Sequence, residues 1–482
     1  MDEGKPMEAG ASDVHEQGPA AVDGAANQRS ARKFELNRLL ALGKVTVGKV
    51  GKKLKFRRAK LRAYRDEVGV VELNDPPLDG AFRDMADDAP IVRIASTIML
   101  QAIRDGASDI HVEPERLGVR IRHRVDGVLH EVMQVPKHIQ EPLIARFKIL
   151  ADLNIADPRL PQSGNISILV DGRHYDFRLT CIPTTLGVSM VMRIMDKSKE
   201  LLTLEDQGLN ESNLATLISL LHKENGMIVI SGPTRSGKTS LLYSCLQLLN
   251  RPETKILTIE DPVEFAIPGI GQVQVEEKDG LTFSTAIPAF LHQDANVIMV
   301  SDTFDIETAR LAVEAAMTGH IVLTTMHTWS ATDVLRRFQD LGVETHIFGA
   351  AISAVVNLRM ARKLCNHCKA EMSPEEVSDT IKKVCSLSAA GGYEIADTPT
   401  LYRATGCPEC SLSGYRGRIP LHEMLVCSSR LVKEVVKSDS ESECTRLAVE
   451  SGMRTLLADG ITKAVAGETS IDEILRVTTG AM

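Results

Sequence analysis

Apolar positions change their spacing several times along this 482-residue chain, and each change marks a different kind of element. From Ala89 the run APIVRIASTIMLQAIRDGASD has the three-to-four spacing of an amphipathic helix, whereas GVRIRHRVDGVLHEV and GRHYDFRLTCIPTT alternate as half-buried strands do. That mixture predicts an α+β domain over 86–197. A helix is expected from about Asn210 to Asn225, followed by the short apolar runs GMIVISG, LTIEDP, NVIMVSD and GHIVLTTMH, each separated from the next by a helix or a longer connection. Parallel strands covered on both faces produce such runs, so 205–358 reads as an α/β domain. After Arg359 the pattern breaks into a cysteine-bearing segment, 359–418, and 419–482 reads as mostly helical, with Gly452, Gly460 and Gly467 as punctuation.

Composition narrows the class further. With 43% hydrophobic and 25% charged residues the chain is ordinary globular material. The longest charge-free apolar run, Ile347 to Leu358, is 12 residues, short of the ~18 to 20 that a membrane-spanning helix needs. The start, Met1-Asp2-Glu3-Gly4-Lys5, lacks the basic and then apolar layout of a secretion signal, so a cytoplasmic location is expected. The net charge of −8 hides an asymmetry: Arg29 to Arg65 holds 14 Lys or Arg against the single Glu35, a local +13 that leaves −21 elsewhere. Residues 1–66 therefore read as a disordered, basic arm, which either touches an acidic surface such as anionic lipid or a partner's face, or is idle and solvated.

The strongest chemical signal is Gly232-Pro233-Thr234-Arg235-Ser236-Gly237-Lys238-Thr239-Ser240, a complete GxxxxGK[ST] between the apolar run GMIVIS and the helical LLYSCLQLLN. Its glycines let backbone N–H groups wrap phosphate oxygens at a helix N-terminus, Lys238 reaches the β and γ phosphates, and Thr239 can hold Mg²⁺. In that context the α/β domain is RecA-like, and ATP with Mg²⁺ is its expected ligand. Asp302, ending NVIMVSD, is the Walker B candidate. Glu260, Asp261 and Glu264 end another strand; they are either a solvated loop or a water-orienting group, with Glu264 the chosen candidate.

Cys365-Asn366-His367-Cys368 and Cys407-Pro408-Glu409-Cys410 form the second constellation. Four thiolates on two tight turns satisfy a tetrahedral Zn²⁺ without His367. The 38 residues between the pairs exceed the usual ~15 to 20, so two independent redox or packing pairs are the alternative. Cys181, Cys245, Cys385, Cys427 and Cys444 are scattered and read as structural.

Over about residues 86 to 480 the chain resembles the secretion ATPase family, the hexameric motors of type II secretion and type IV pilus assembly. The resemblance is carried by ASDIHVEP, VRIRHRVDGVLHEV, GPTRSGKTS, TIEDPVEF, GIGQVQV, MTGHIVLTTMHT, the cysteine pairs, GYRGRIPLHEML, GMRTLLADG and GETSIDEILRVT. The tetracysteine segment is similar to that of the assembly branch. The resemblance implies an ATP-hydrolysing homohexamer, peripheral at the inner membrane, with an inner-membrane platform protein and a cytoplasmic docking protein as partners. It further implies that the Asp box ends at Glu264, that the His box comprises His320 and His327, and that Arg178 and Arg193 are phosphate-sensing arginines. A nucleic-acid motor shares such a core, but the acidic body and the lack of a base-reading motif leave no nucleic acid expected.

The departures from the family pattern concern turnover. Gly-Glu-Ile-Arg-Asp is here Ser301-Asp302-Thr303-Phe304-Asp305, HTND is His327-Thr328-Trp329-Ser330, PQDGR is Pro161-Gln162-Ser163-Gly164-Asn165, GEK is Gly187-Val188-Ser189, and Arg235 replaces a P-loop glycine. Either the shorter acid slows hydrolysis, in the extreme leaving a nucleotide-binding structural or regulatory paralogue, or the backbone shifts to compensate.

Overall fold

A computed structural model describes residues 89–156, 159–171, 173–196, 202–303, 305–387 and 399–479. The basic arm and Phe304 lie outside them. The described chain divides into two compact units, 89–123 with 130–196, and 124–129 with 202–479.

The first unit contains α1 (Ala89–Arg104), β1 (Asp109–Pro114), β2 (Gly118–Val125), β3 (Val128–Pro136), α2 (Gln140–Leu150), β4 (Gln162–Val170), β5 (Arg173–Thr184) and β6 (Gly187–Asp196). Its six strands run in the order β3-β2-β1-β6-β5-β4. Period-two patterning sets what each face does. Along β5, Tyr175, Phe177, Leu179 and Cys181 are buried while Arg178, Thr180 and Ile182 are exposed. The antiparallel registers then align Asp109, Arg193, Arg178 and Asn165 in one row across four strands.

The second unit contains α3 (Glu211–Leu221), β7 (Gly226–Ser231), α4 (Lys238–Leu249), β8 (Ile256–Glu260), β9 (Gly271–Gln274), α5 (Phe283–Leu291), β10 (Val297–Val300), α6 (Ile306–Met317), β11 (Ile321–Met326), α7 (Ala331–Asp340), α8 (Thr345–Ala351) and β12 (Ile352–Leu364). After these come β13 (Ala370–Glu371), α9 (Pro374–Leu387), β14 (Tyr402–Arg403), β15 (Tyr415–Val426), α10 (Ser429–Lys437), α11 (Glu441–Glu450), α12 (Leu456–Val465) and α13 (Ile471–Thr478). The main sheet has the order β15-β12-β7-β11-β10-β8-β9; all its pairs are parallel except β12 with β15.

Its strands are apolar at successive positions because both faces are covered. Met227, Val229, Ile298 and Val300 belong to one core with α5, α6 and α7, while Ile228, Ile230, Val297 and Met299 belong to another with α3 and α4. The cysteine segment is less separate than the sequence texture implies. β12 continues unbroken from Ile352 through Leu364 and pairs with β15, so the boundaries at 358/359 and 418/419 fall inside two strands of this sheet. The chain's longest apolar run is the reason: it ends α8 and starts β12, and the strand then carries charges at Arg359 and Arg362.

Candidate nucleotide site and cysteine centre

β7 delivers the phosphate loop at the C-terminal edge of the parallel sheet, and α4 begins at Lys238. Two glycines are required by geometry. Gly232 has φ +142°, and a Cβ there would lie 2.5 Å from the Leu358 carbonyl oxygen and 2.6 Å from Ser236 Oγ; Gly237 has φ +97°. Arg235, exposed between them, also holds a positive φ of 68°. The first amides of α4 have no helical carbonyl to meet, and Ser236 Oγ is buried without a hydrogen-bond partner among the described residues. These are donors that a phosphate would satisfy.

Lys238 folds back in this state. Its Nζ donates to the carbonyls of Gly232 (3.0 Å) and Pro233 (3.3 Å) and lies 3.4 Å from His327 Nδ1. His327 Nε2 is in turn 3.6 Å from Asp302 Oδ1, which also accepts from Thr325 Oγ1 at 2.5 Å. Lysine, histidine and aspartate thus form a chain across the ends of β7, β11 and β10. Burial lowers the pKa of Lys238, and Arg359 pushes it lower against the opposing pull of Asp302. Burial, helped by Lys238, likewise lowers that of His327, and burial with Asp261 nearby raises that of Asp302. Each charge is held at a cost that a neighbour partly offsets.

The three carboxylates of the Asp box have different surroundings. Glu260 is buried and accepts from Tyr243 Oη, Thr258 Oγ1 (2.6 Å) and Gln272 Nε2 (3.0 Å). Asp261 is exposed, with its amide 3.4 Å from Ser301 Oγ. Glu264 accepts from Thr239 Oγ1 at 3.2 Å and is the one that joins the phosphate loop. Sequence reading missed Tyr243, Gln272 and Thr325, whose partners are 12 to 23 residues away and leave no local pattern.

The two histidines of the His box part company. His320 precedes β11 and His327 follows it, so six strand residues, or about 20 Å, separate the ends they occupy. His320 Nδ1 lies 3.0 Å from the Ala315 carbonyl oxygen, and its own carbonyl accepts from Gly226 N, at the edge away from the phosphate loop. Arg178 and Arg193 belong to the first unit. They are cross-strand partners on its exposed face, with Arg193 Nε 3.6 Å from the buried Asp109.

The cysteine pairs converge. Cys365 Sγ is 3.8 Å from Cys407 Sγ, Cys368 Sγ is 3.8 Å from Cys410 Sγ, and all four sulfurs lie within 4.8 Å of one another. Zn–S bonds of about 2.3 Å in a tetrahedron put sulfurs about 3.8 Å apart, so the residues fit the ion. A disulfide sulfur pair would be about 2.05 Å apart. Burial opposes ionisation of Cys410, yet the amides of Cys407 and Gly414 donate to its sulfur and bring its pKa to about 6. The 38-residue separation is closed by the β12–β15 pairing, which sets Leu364 opposite Tyr415.

A phosphate loop at the strand ends of a parallel sheet, with carboxylates on the neighbouring strands, defines a P-loop nucleotide-binding α/β protein. The model of the Type II/IV secretion system protein family matches residues 84–476, and the chain belongs to that family of secretion and pilus ATPases. It is 37% identical over 457 residues to the type II secretion system protein HxcR of Pseudomonas aeruginosa, covering 95% of this chain and 90% of that one. It is 38% identical over 411 residues to the type IV pilus assembly ATPase PilB of Myxococcus xanthus, covering 85% and 71% respectively. The X-ray structure of the Legionella pneumophila ATPase DotB matches with a TM-score of 0.56 at 19% identity, over 84% of this chain and 98% of that one, a likeness of fold.

Proposed function

We propose that this chain is an ATP-hydrolysing motor that works as a homohexamer at the inner membrane and powers the assembly of type IV pilus or type II secretion pseudopilus subunits. The observation that carries the reading is the juxtaposition of Lys238, His327 and Asp302 at the phosphate loop, with Glu264 on Thr239. In this reading Gly232 to Ser240 hold the phosphates of ATP, Thr239 and the carboxylates manage Mg²⁺, and Glu264 and Asp302 orient the attacking water. Arg178 and Arg193 read the γ-phosphate, a task suited to a permanently charged fork. The four cysteines hold one structural Zn²⁺. A platform protein in the inner membrane and a cytoplasmic docking protein are the partners, and the basic arm meets an anionic membrane surface.

A second reading, a nucleotide-binding paralogue with little turnover, is favoured by one observation: the short Asp302 side chain is engaged by Thr325 and His327. Steady-state ATP hydrolysis by the hexameric fraction of the purified protein separates the two. The motor reading expects turnover that Lys238→Ala removes; a hexamer that binds ATP without turning it over favours the second.

A further inference from the structure

We propose that Arg359 is a positioning residue that fixes the His327 segment against the phosphate loop, and this rests on the reading of the site as an ATP-hydrolysing centre. Residues 327–330, between β11 and α7, have no strand or helix to hold them. Their two middle carbonyls are instead gripped by side chains of β12. Arg359 Nη2 donates to the Trp329 carbonyl at 2.6 Å, and Asn357 Nδ2 reaches the Thr328 carbonyl at 3.4 Å. Asn357 Nδ2 also donates to Ser231 Oγ at 2.8 Å, on the last residue of the strand that leads into the phosphate loop.

Arg359 makes the other connection as well. Its Nη1 donates to the Leu358 carbonyl at 2.9 Å and to Asn357 Oδ1 at 3.3 Å. That Leu358 carbonyl is the group against which Gly232 packs so closely that a Cβ would not fit. One guanidinium therefore touches the backbone that lies on the phosphate loop and the backbone that carries His327.

The residue type follows from the geometry. Two carbonyls lie in different directions, and a planar fork can serve both at once where an ammonium serves one well. The charge is 5% exposed, an expensive placement without compensation. Glu423 and Asp333 lie in range to offset it, and Glu423 accepts from Ala331 N at 2.8 Å, so the start of α7 is held from the same side. The guanidinium carbon is 5.0 Å from the centroid of the Trp329 ring, which is itself 70% exposed, so arginine and tryptophan form a stack over the segment.

Trp329 is the chain's single tryptophan, so its emission reports on this segment alone. The test compares full-length wild type with Arg359→Lys, and with Arg359→Ala where it folds, by ATP hydrolysis and by Trp329 emission. Arg359→Lys should lower kcat at least about tenfold, with KM for Mg-ATP within about threefold, because the loop's own amides and Lys238 are unchanged while His327 is misplaced. Trp329 emission should change in parallel, and lysine should fail to rescue alanine. A kcat within twofold of wild type would overturn the proposal, and so would unchanged Trp329 emission in Arg359→Lys, whether or not the protein hydrolyses ATP. A wild type without hydrolysis would contradict the motor reading instead.

Discussion

The cysteine centre and the nucleotide site are built from the exit and the middle of the same strand, β12, and they are finished to different degrees. Cys365, at the exit of the strand, meets three other thiols at spacings that already suit a metal. Leu358 to Met360, near its middle, line the phosphate loop, where Lys238 spends its hydrogen bonds on loop carbonyls and leans on His327. A structural metal site closes its own coordination shell, whereas a catalytic site keeps positions open for what it acts on. On the proposed reading, the difference separates a clamp from a working site.

Breaking the clamp should have the largest effect. Cys407→Ser removes one of four ligands, and elemental analysis should fall from one zinc per chain to none. Stability should drop by more than about 4 kcal/mol, since structural zinc binding is folding energy. Unchanged zinc would detach these cysteines from the metal.

On the other side of the comparison, Asp302→Glu should raise kcat. On the reading that Asp302 stands in place of a longer glutamate, its carboxylate is withdrawn by one methylene, and a misplacement of about 1 Å can cost on the order of 10²-fold, about 2.7 kcal/mol of barrier. Nucleotide affinity should barely move, because Lys238 and Thr239 are untouched. If the substitution slows the enzyme, aspartate is this motor's proper acid.

Between the two centres, paired with Leu358, lies His422 on β15. It is fully buried, neither ring nitrogen has a hydrogen-bond partner among the described residues, and burial with the Lys463 charge pushes its pKa to about 3. The unfolded chain therefore binds a proton that the folded one refuses. Stability is fully present above about pH 6.5 and is lost as the pH falls toward 3, by about 2 kcal/mol at pH 5. His422→Leu should flatten that decline in denaturant melts at pH 7.5 and 5; parallel curves would assign it elsewhere.

The smallest effect concerns the loop itself. Arg235 occupies a left-handed conformation that glycine adopts without penalty. Arg235→Gly should stabilise the protein by about 0.5 to 1 kcal/mol in urea denaturation and leave ATP affinity as it was.

What the sequence could disclose follows from these physical demands. A phosphate cradle needs backbone freedom at Gly232 and Gly237 and a charge at Lys238, and such needs are local, so the motif was legible. The thiols were legible as two pairs, but it takes the pairing of β12 with β15 and of β13 with β14 to close the 38-residue gap between them. The Asp box was readable as a cluster but not as three roles, because Glu260 is taken by Tyr243 and Gln272, which are remote in sequence. His320 and His327 were grouped by the resemblance to a His box, and the length of β11 between them separates them. Arg359 showed no sign at all: an arginine just past an apolar run, with Arg362 and Lys363 soon after it, discloses nothing until its two carbonyls are seen.

The most direct test of the open site is equilibrium binding of a fluorescent ATP analogue, with Mg²⁺, to wild type and Lys238→Ala. Lys238 is the charge that the phosphates must recruit from Gly232, Pro233 and His327. Saturable binding by wild type that Lys238→Ala abolishes is the predicted result. Equal affinity in the two proteins would contradict the assignment of Gly232 to Ser240 as the nucleotide site.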